Sequence, residues 1–298
     1  MSDAKDADGG RRLRCAFQGE RGAFSEEAAV RLLGEEIELV PCATFEKLFA
    51  TVGEGAAELA LAPVENTLAG SVHRVYELLA ESRLRIAAEV VIPIAHHLVG
   101  CPGAKPEQLQ SVESHPVALA QCERFFAARP HLARLATDDT AASVRRVVSA
   151  GDPARAAIGS RRAAEMYGGA IFAEHLEDHA ENYTRFVLLA HEPRVLPRAD
   201  KLSLVVKLAH RPGALHAALA PFARRGVNLQ KIESRPVRGR PFQYLFYLDL
   251  QTAPGEDDSI EGALGETGPG VEELVVLGRY PSAAAAVNRH ELLRSLQS

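Results

Sequence analysis

No two cysteines of this chain lie close together: Cys15, Cys42, Cys101 and Cys122 are widely spaced. That excludes zinc-knuckle and redox-pair spacing, and the expectation is reduced, mostly buried thiols in a cytoplasmic protein. Long apolar runs are also missing. The best candidate, residues 84–98, is interrupted by Arg85, Glu89, Pro93, His96 and His97, whereas a membrane helix needs roughly 20 apolar residues. There is no basic leader, because residues 1–12 are polar and carry Asp3, Asp6 and Asp8, which reads as a disordered tail without an export signal. Positive charge is not in excess: the formal net charge is -5 at pH 7, with 24% charged residues of both signs, which argues against nucleic-acid or anionic-membrane partners. The glycine spacing of a dinucleotide fold, the lysine of a phosphate loop and a serine nucleophile elbow are all absent.

What remains is a chain of 298 residues, long enough for a catalytic core plus a smaller module. From Arg14 to His191, short apolar runs lead through polar turns into segments of helical period, which is α/β order. Ser25 can cap a helix that carries Glu26 and Glu27 in its first turn and stops at Gly34. Thr44 opens the next helix, and residues 59–62 read as a central strand. A second cycle begins at residues 86–92 and passes through residues 111–113. It then enters a helix with Ala118, Leu119, Cys122, Phe125 and Phe126 on its buried face. Asp139 or Thr140 caps a further helix, and the step beginning at residues 157–160 ends at Gly168. Two α/β lobes are the simplest account, residues 13–90 with 179–191 and residues 91–178. Residues 192–200 form a linker. Residues 201–281 follow the order βαββαβ, the ferredoxin-like plan, and residues 282–298 add a terminal helix or tail.

Strand ends that feed helix starts gather unpaired amides, so several converging turns bind anions. Three turns qualify. Residues 19–25 offer backbone amides and the Ser25 hydroxyl. Residues 63–71 place Glu65, Asn66 and Thr67 after a buried strand, with Gly70 permitting a close backbone approach. At Ser114-His115-Pro116 a histidine meets a helix start. A fourth stretch sets Asn182, Thr184 and Arg185 at the mouth of the apolar strand beginning at Phe186, an arrangement suited to holding a carboxylated substrate. Each segment alone is equally a cap or a surface turn. His175 and His179 are four residues apart, but the glycines and Ile171-Phe172 before them suggest a strand and loop, so solvated polar residues are expected there rather than a metal site.

In order along the chain, residues 17–25, 63–70, 113–122 and 182–186 resemble the catalytic motifs of prephenate dehydratases. Residues 211–215 and 232–236 resemble the phenylalanine-responsive motifs of ACT domains. The resemblance implies a two-lobed catalytic domain similar in plan to periplasmic binding proteins, with its active site in the interlobe cleft, followed by an ACT regulatory domain. It further implies that prephenate loses carbon dioxide and hydroxide together, giving phenylpyruvate on the way to L-phenylalanine, with no metal or organic cofactor. By that pattern Thr184 donates to the departing hydroxyl, with His115 as the competing acid, and Arg185 holds a substrate carboxylate. Ser25, Asn66, Thr67, Gly70, Ser114, Asn182 and Phe186 contribute to substrate binding. The effector site comprises Gly213, Ala214, Leu215, Glu233, Ser234, Arg235 and Pro236, with Glu233 or backbone carbonyls facing the ammonium of phenylalanine. The effector bridges subunits of a homodimer or homotetramer. Val117, Thr67 and His216 depart from the family pattern. Arogenate dehydratase on the same scaffold and a noncatalytic sensor of small anions or amino acids stay open as alternatives.

Overall fold

Three sheets organise the chain in the computed structural model. It describes residues 12–196, 198–237, 239–240, 243–252, 257–266, 268, 270–285 and 288–296. Residues 1–11 of the expected tail lie outside the described residues. The first part runs β1 (Arg14–Gln18), α1 (Phe24–Leu33), β2 (Glu38–Cys42), α2 (Phe45–Gly53), β3 (Leu59–Asn66), β4 (Gly70–Ser71), α3 (His73–Glu81) and β5 (Leu84–Pro93). The chain then crosses into β6 (His97–Gly100), β7 (Ser111–Ser114), α4 (Pro116–Ala120), α5 (Glu123–Ala127), β8 (Ala133–Ala136), α6 (Thr140–Ala150), β9 (Arg155–Gly159), α7 (Arg161–Tyr167) and β10 (Ala170–Ala173). It returns as β11 (Tyr183–His191). The C-terminal part is β12 (Lys201–Leu208), α8 (Ala214–Arg224), β13 (Asn228–Pro236), β14 (Tyr244–Gln251), α9 (Asp257–Gly265), β15 (Val271–Tyr280) and α10 (Arg289–Leu296).

Local chemistry sets the helix starts. Thr44 caps α2 through Lys47 N, Asp139 caps α6 through Ala142 N, and Ser160 caps α7 through Ala163 N. At α1 the expectation is corrected: Ala23 occupies the cap position and Ser25 lies within the first turn, where its side chain makes no cap bond. The single helix expected after Pro116 is divided into α4 and α5. The restart is held from outside, since Asp178 accepts from Glu123 N at 2.8 Å and from Arg124 N at 2.9 Å. The expected apolar face of this pair is nevertheless buried in full.

The first lobe has the strand order β2-β1-β3-β11-β5, with β4 attached to β3; the second has β10-β6-β9-β7-β8. The two-lobed plan expected from the sequence is therefore present. Strand β11 joins the first sheet last in chain order, yet it lies antiparallel between β3 and β5. Because successive strand residues face opposite sides, β11 contributes to two cores. Phe186 and Leu188 pack towards α1 and α10, whereas Val187 and Leu189 pack towards α2 and α3. The edge strands β2 and β8 are additions to the elements expected from sequence.

The C-terminal sheet, β13-β14-β12-β15, is antiparallel and bears α8 and α9 on one face, as the ferredoxin-like plan requires. Its other face lies against the first lobe. Val205, Tyr247, Leu277 and Tyr280 join Tyr76, Leu79, Ile86 and Leu189 in one buried cluster. The approach is close at Gly278, where a Cβ would stand 2.4 Å from the carbonyl oxygen of Ile86.

Within this seam lies a cluster of charges centred on Arg185, whose Nε lies 3.4 Å from Glu65 Oε2. Arg185 Nη2 donates to Asp249 Oδ2 at 2.7 Å and to the Tyr76 hydroxyl at 3.1 Å, while Nη1 donates to Glu89 Oε2 at 3.2 Å. Lys201 Nζ donates to both Glu89 oxygens, at 3.1 and 3.0 Å, and Ser203 Oγ donates to Asp249 Oδ1 at 2.6 Å. Burial works against the Arg185 charge, but Asp249, Tyr76, Tyr280 and Glu89 outweigh it and push its pKa above the usual arginine value. Removing one member of a buried ion cluster strands the others. Arg185→Met is therefore expected to lower unfolding free energy by about 3–5 kcal/mol in denaturant titrations. Unchanged stability together with a raised KM would instead return Arg185 to substrate binding.

Candidate active site in the interlobe cleft

Between the lobes opens a cleft of about 460 Å³, lined by residues from the ends of β1, β3 and β7, from β4, and from the starts of α1 and α6. Asn66, Gly70, Ser25 and His115, all expected from sequence, line it together. The β3–β4 turn places Gly70 at φ +81, and a Cβ there would meet nothing within 4 Å. The glycine thus serves the positive φ rather than close packing. Next to the cleft is a second hollow of about 370 Å³, lined by Leu68, Val117, Gln121, Asp178 and His179 among others. Interlobe contacts border the first space: Ser160 Oγ donates to Gly22 O at 2.6 Å, and Arg162 reaches Glu26 Oε1 at 3.1 Å.

Thr184, 8% exposed, is not among the residues that line either hollow; it lies directly behind Asn66, which lines the first. Strand pairing sets it opposite Asn66, whose Nδ2 donates to Thr184 Oγ1 at 2.9 Å and to Asn182 Oδ1 at 2.8 Å. The orientation of Asn66 is fixed from its other end, where Oδ1 accepts from Leu68 N and Ala69 N at 3.0 and 2.8 Å. Since Asn66 supplies a proton to the Thr184 oxygen, the hydroxyl's own proton remains available for donation.

Sequence reasoning missed Gln121, which completes this network. Its Oε1 accepts from Asn182 Nδ2 at 3.0 Å, and its Nε2 lies 3.4 Å from Asn66 Oδ1. Gln121 falls within one of the motif stretches, but an amide in a helical segment carries no functional signal of its own. Phe24, Phe45, Asp138, Asp139 and Thr140 also line the cleft without having been expected there. Burial pushes the Asp139 carboxyl up from its usual range, against the amides of Ala142 and Ala141, which pull it down.

Several expected site residues lie elsewhere. Arg185 is the main correction: it follows Thr184 on a strand, so its side chain leaves by the opposite face and enters the domain seam. Phe186 is 2% exposed and belongs to the core beside α1. Ser114 is fully buried, and its hydroxyl donates to Ile158 O at 2.7 Å. The Thr67 hydroxyl is engaged with backbone, donating to Glu181 O and accepting from Tyr183 N, so it fastens the β3–β4 turn to β11. Asn182 is also fully buried and acts within the network described above. His115 caps α4, with Nδ1 accepting from Val117 N at 3.3 Å.

On the small domain, Gly213 takes φ +77 at the start of α8, and Ala214 and Leu215 line a hollow of about 140 Å³. Strand β13 alternates between two faces. Ser234 and Pro236 are exposed, whereas Lys231, Glu233 and Arg235 turn towards the first lobe. Glu233 Oε1 lies 2.6 Å from His73 Nδ1, Arg235 reaches Glu77 at 3.9 Å, and Lys231 Nζ donates to Ser71 Oγ at 2.7 Å. Glu233 is thus directed at the first lobe rather than at an open ligand site, contrary to expectation.

Among the described residues lining the two hollows there is no lysine or arginine. What the cleft offers an anion is the positive end of α1 and the Ser25 and Thr140 hydroxyls, facing the carboxyl groups of Asp138 and Asp139 in the same lining, the latter capping α6.

Residues 15–194 match the prephenate dehydratase family model, and residues 202–264 match the ACT domain model. A protein of Arabidopsis thaliana, arogenate dehydratase/prephenate dehydratase 1, chloroplastic, is 41% identical over 297 residues, covering 94% of this chain and 74% of the relative. The prephenate dehydratase of Arthrobacter aurescens, solved in complex with L-Phe, superposes with a TM-score of 0.84 at 30% identity, covering 93% of this chain and 92% of the other. GqqA, described as a novel type of quorum quenching acylase, gives a TM-score of 0.80 at 32% identity, covering 90% and 98%. With a family model matched over residues 15–194, an ACT domain model over residues 202–264 and a relative 41% identical over 94% of the chain, this chain belongs to the prephenate dehydratase family.

Proposed function

We propose that the cleft converts prephenate to phenylpyruvate, carbon dioxide and water, and that L-phenylalanine acts on it through the ACT domain. The observation that carries this reading is the hydrogen bond from Asn66 to Thr184 Oγ1. Because the Thr184 oxygen accepts in that bond, its own proton is left to be donated to the leaving group. As the carboxylate carbon departs as CO₂, its bonding electrons enter the ring and the ring hydroxyl leaves as hydroxide, taking up a proton to become water. Aromatisation drives the departure, so the protein needs only to hold the dicarboxylate and stabilise the charge growing on the leaving oxygen. A threonine hydroxyl suffices as a preorganised hydrogen-bond donor, and the proton is finally made good from solvent.

Arogenate differs from prephenate only by an amino group in place of the keto oxygen, and the Arabidopsis relative carries both activities in its name. The effector reading is supported by the ACT match and by the L-Phe complex of the Arthrobacter enzyme. A second copy of the chain against the exposed side of β13, where Ile232 is 44% exposed, would complete a site shared between subunits in a dimer or tetramer. The four cysteines are unpaired and buried, which suits the reducing cytoplasm. Among the described residues no helix is long and apolar enough to cross a membrane.

Purified protein supplied separately with prephenate and arogenate is expected to yield phenylpyruvate from prephenate. Phenylalanine formed from arogenate alone would reassign the substrate, and binding without either product would indicate a sensor. Thr184→Ala is expected to lower kcat by about 10²-fold or more while KM changes by less than about threefold. If turnover survives in that variant but is lost in His115→Gln, the donor is His115.

A further inference from the structure

We infer that His96 is a positioning residue for Thr184, acting through Gln121 and Asn182 from the crossing between the two lobes. The inference rests on the dehydratase reading and extends it to a histidine that touches neither the cleft nor the substrate. His96 lies between β5 and β6, where the chain passes from the first lobe to the second, and is 2% exposed. Its backbone is pinned on both sides: its N–H donates to Glu177 Oε2 at 2.8 Å, and its carbonyl accepts from Leu176 N at 2.9 Å. Phe24, which lines the cleft, meets the imidazole edge-on with centroids 5.8 Å apart.

The ring's role follows from donor and acceptor counting. Nε2 of His96 lies 2.9 Å from Gln121 Oε1, the same oxygen that accepts from Asn182 Nδ2. An amide oxygen has two lone pairs and no proton, so both neighbours must donate and the imidazole proton belongs on Nε2. Among the described residues the buried Nδ1 has no hydrogen-bond partner; a proton there would be an unpaired donor, which burial penalises. Burial also lowers the His96 pKa, ahead of the opposing effects of Gln121 and Glu177, so the ring is neutral with its proton on Nε2.

Every amide in the line is thereby fixed in one sense. His96 donates to Gln121, Asn182 donates to Gln121, Asn66 donates to Asn182 and to Thr184. Backbone amides hold the Asn66 end, and His96 holds the other. Without the imidazole donor, Gln121 keeps one strong partner and gains freedom to swing, and Asn182 and Thr184 lose their rigid backing. The effect falls on the placement of the donating hydroxyl rather than on substrate affinity.

The test combines ring ¹⁵N NMR of the wild-type full chain with kinetics of two variants. Comparison with the His96→Gln spectrum identifies the His96 signals among the eleven histidines. The expected spectrum is that of a neutral ring protonated at Nε2. His96→Met, which cannot donate, is expected to lose about tenfold in kcat with KM little changed. His96→Gln, whose amide can place a donor near the Nε2 position, is expected to recover most of that loss. A wild-type ring protonated at Nδ1, a His96→Met enzyme with wild-type kcat, or a His96→Gln enzyme as slow as His96→Met would each overturn the inference. The NMR result decides the matter even if His96→Met does not fold. Absence of turnover in the wild-type protein on either prephenate or arogenate would count against the dehydratase reading, while the ring spectrum would still report on the network.

Discussion

Two adjacent residues of one strand cannot point the same way, and on β11 that rule turns Thr184 to Asn66, a cleft-lining residue, and Arg185 to the boundary between domains. The strand is locked between β3 and β5, so neither side chain can exchange faces without breaking two ladders of backbone hydrogen bonds. Thr184 meets Asn66 and the polar line behind it, and Arg185 meets Asp249 and Glu89. The site and the seam are therefore two sides of the same strand, separated by one residue.

This arrangement changes the electrostatic account of the cleft. A doubly charged substrate would find no guanidinium from β11, because that cation is already committed to three carboxylates, Asp249, Glu89 and Glu65, and a phenol. The start of α1 and neutral donors take its place. The small domain meanwhile touches the cleft wall from behind: Lys231 donates to Ser71, a lining residue, and lies 2.9 Å from Glu65. Strand β13 thus uses its inward residues to grip β3, β4 and α3, while its other residues face outward.

Much of the architecture was legible because interior strands and capped helices write strong local patterns. The strands β3 and β11 hold the apolar runs 59–64 and 186–190, Thr44, Asp139 and Ser160 are cap residues at work, and the βαββαβ order stands out after the charged linker. The edge strands did not declare themselves: all four residues of β8 are exposed, and β2 contains Pro41, tolerated at an edge. The site was legible as a set of segments but not as a set of directions. Ser114 and Thr67 lie in the right turns, yet their hydroxyls serve backbone carbonyls and amides. Gln121 and His96 became visible only when folding brought the crossing between lobes beside β11.

A crystal structure of the protein with an unreactive cyclic dicarboxylate shaped like prephenate would examine this division of β11 most directly. The ligand's ring hydroxyl should lie within hydrogen-bond reach of Thr184 Oγ1, its carboxylates should meet the start of α1 and the Ser25 and Thr140 hydroxyls, and Arg185 should remain with Asp249 and Glu89. A ligand carboxylate bound by Arg185, or a ligand remote from Thr184 and Asn66, would contradict the account.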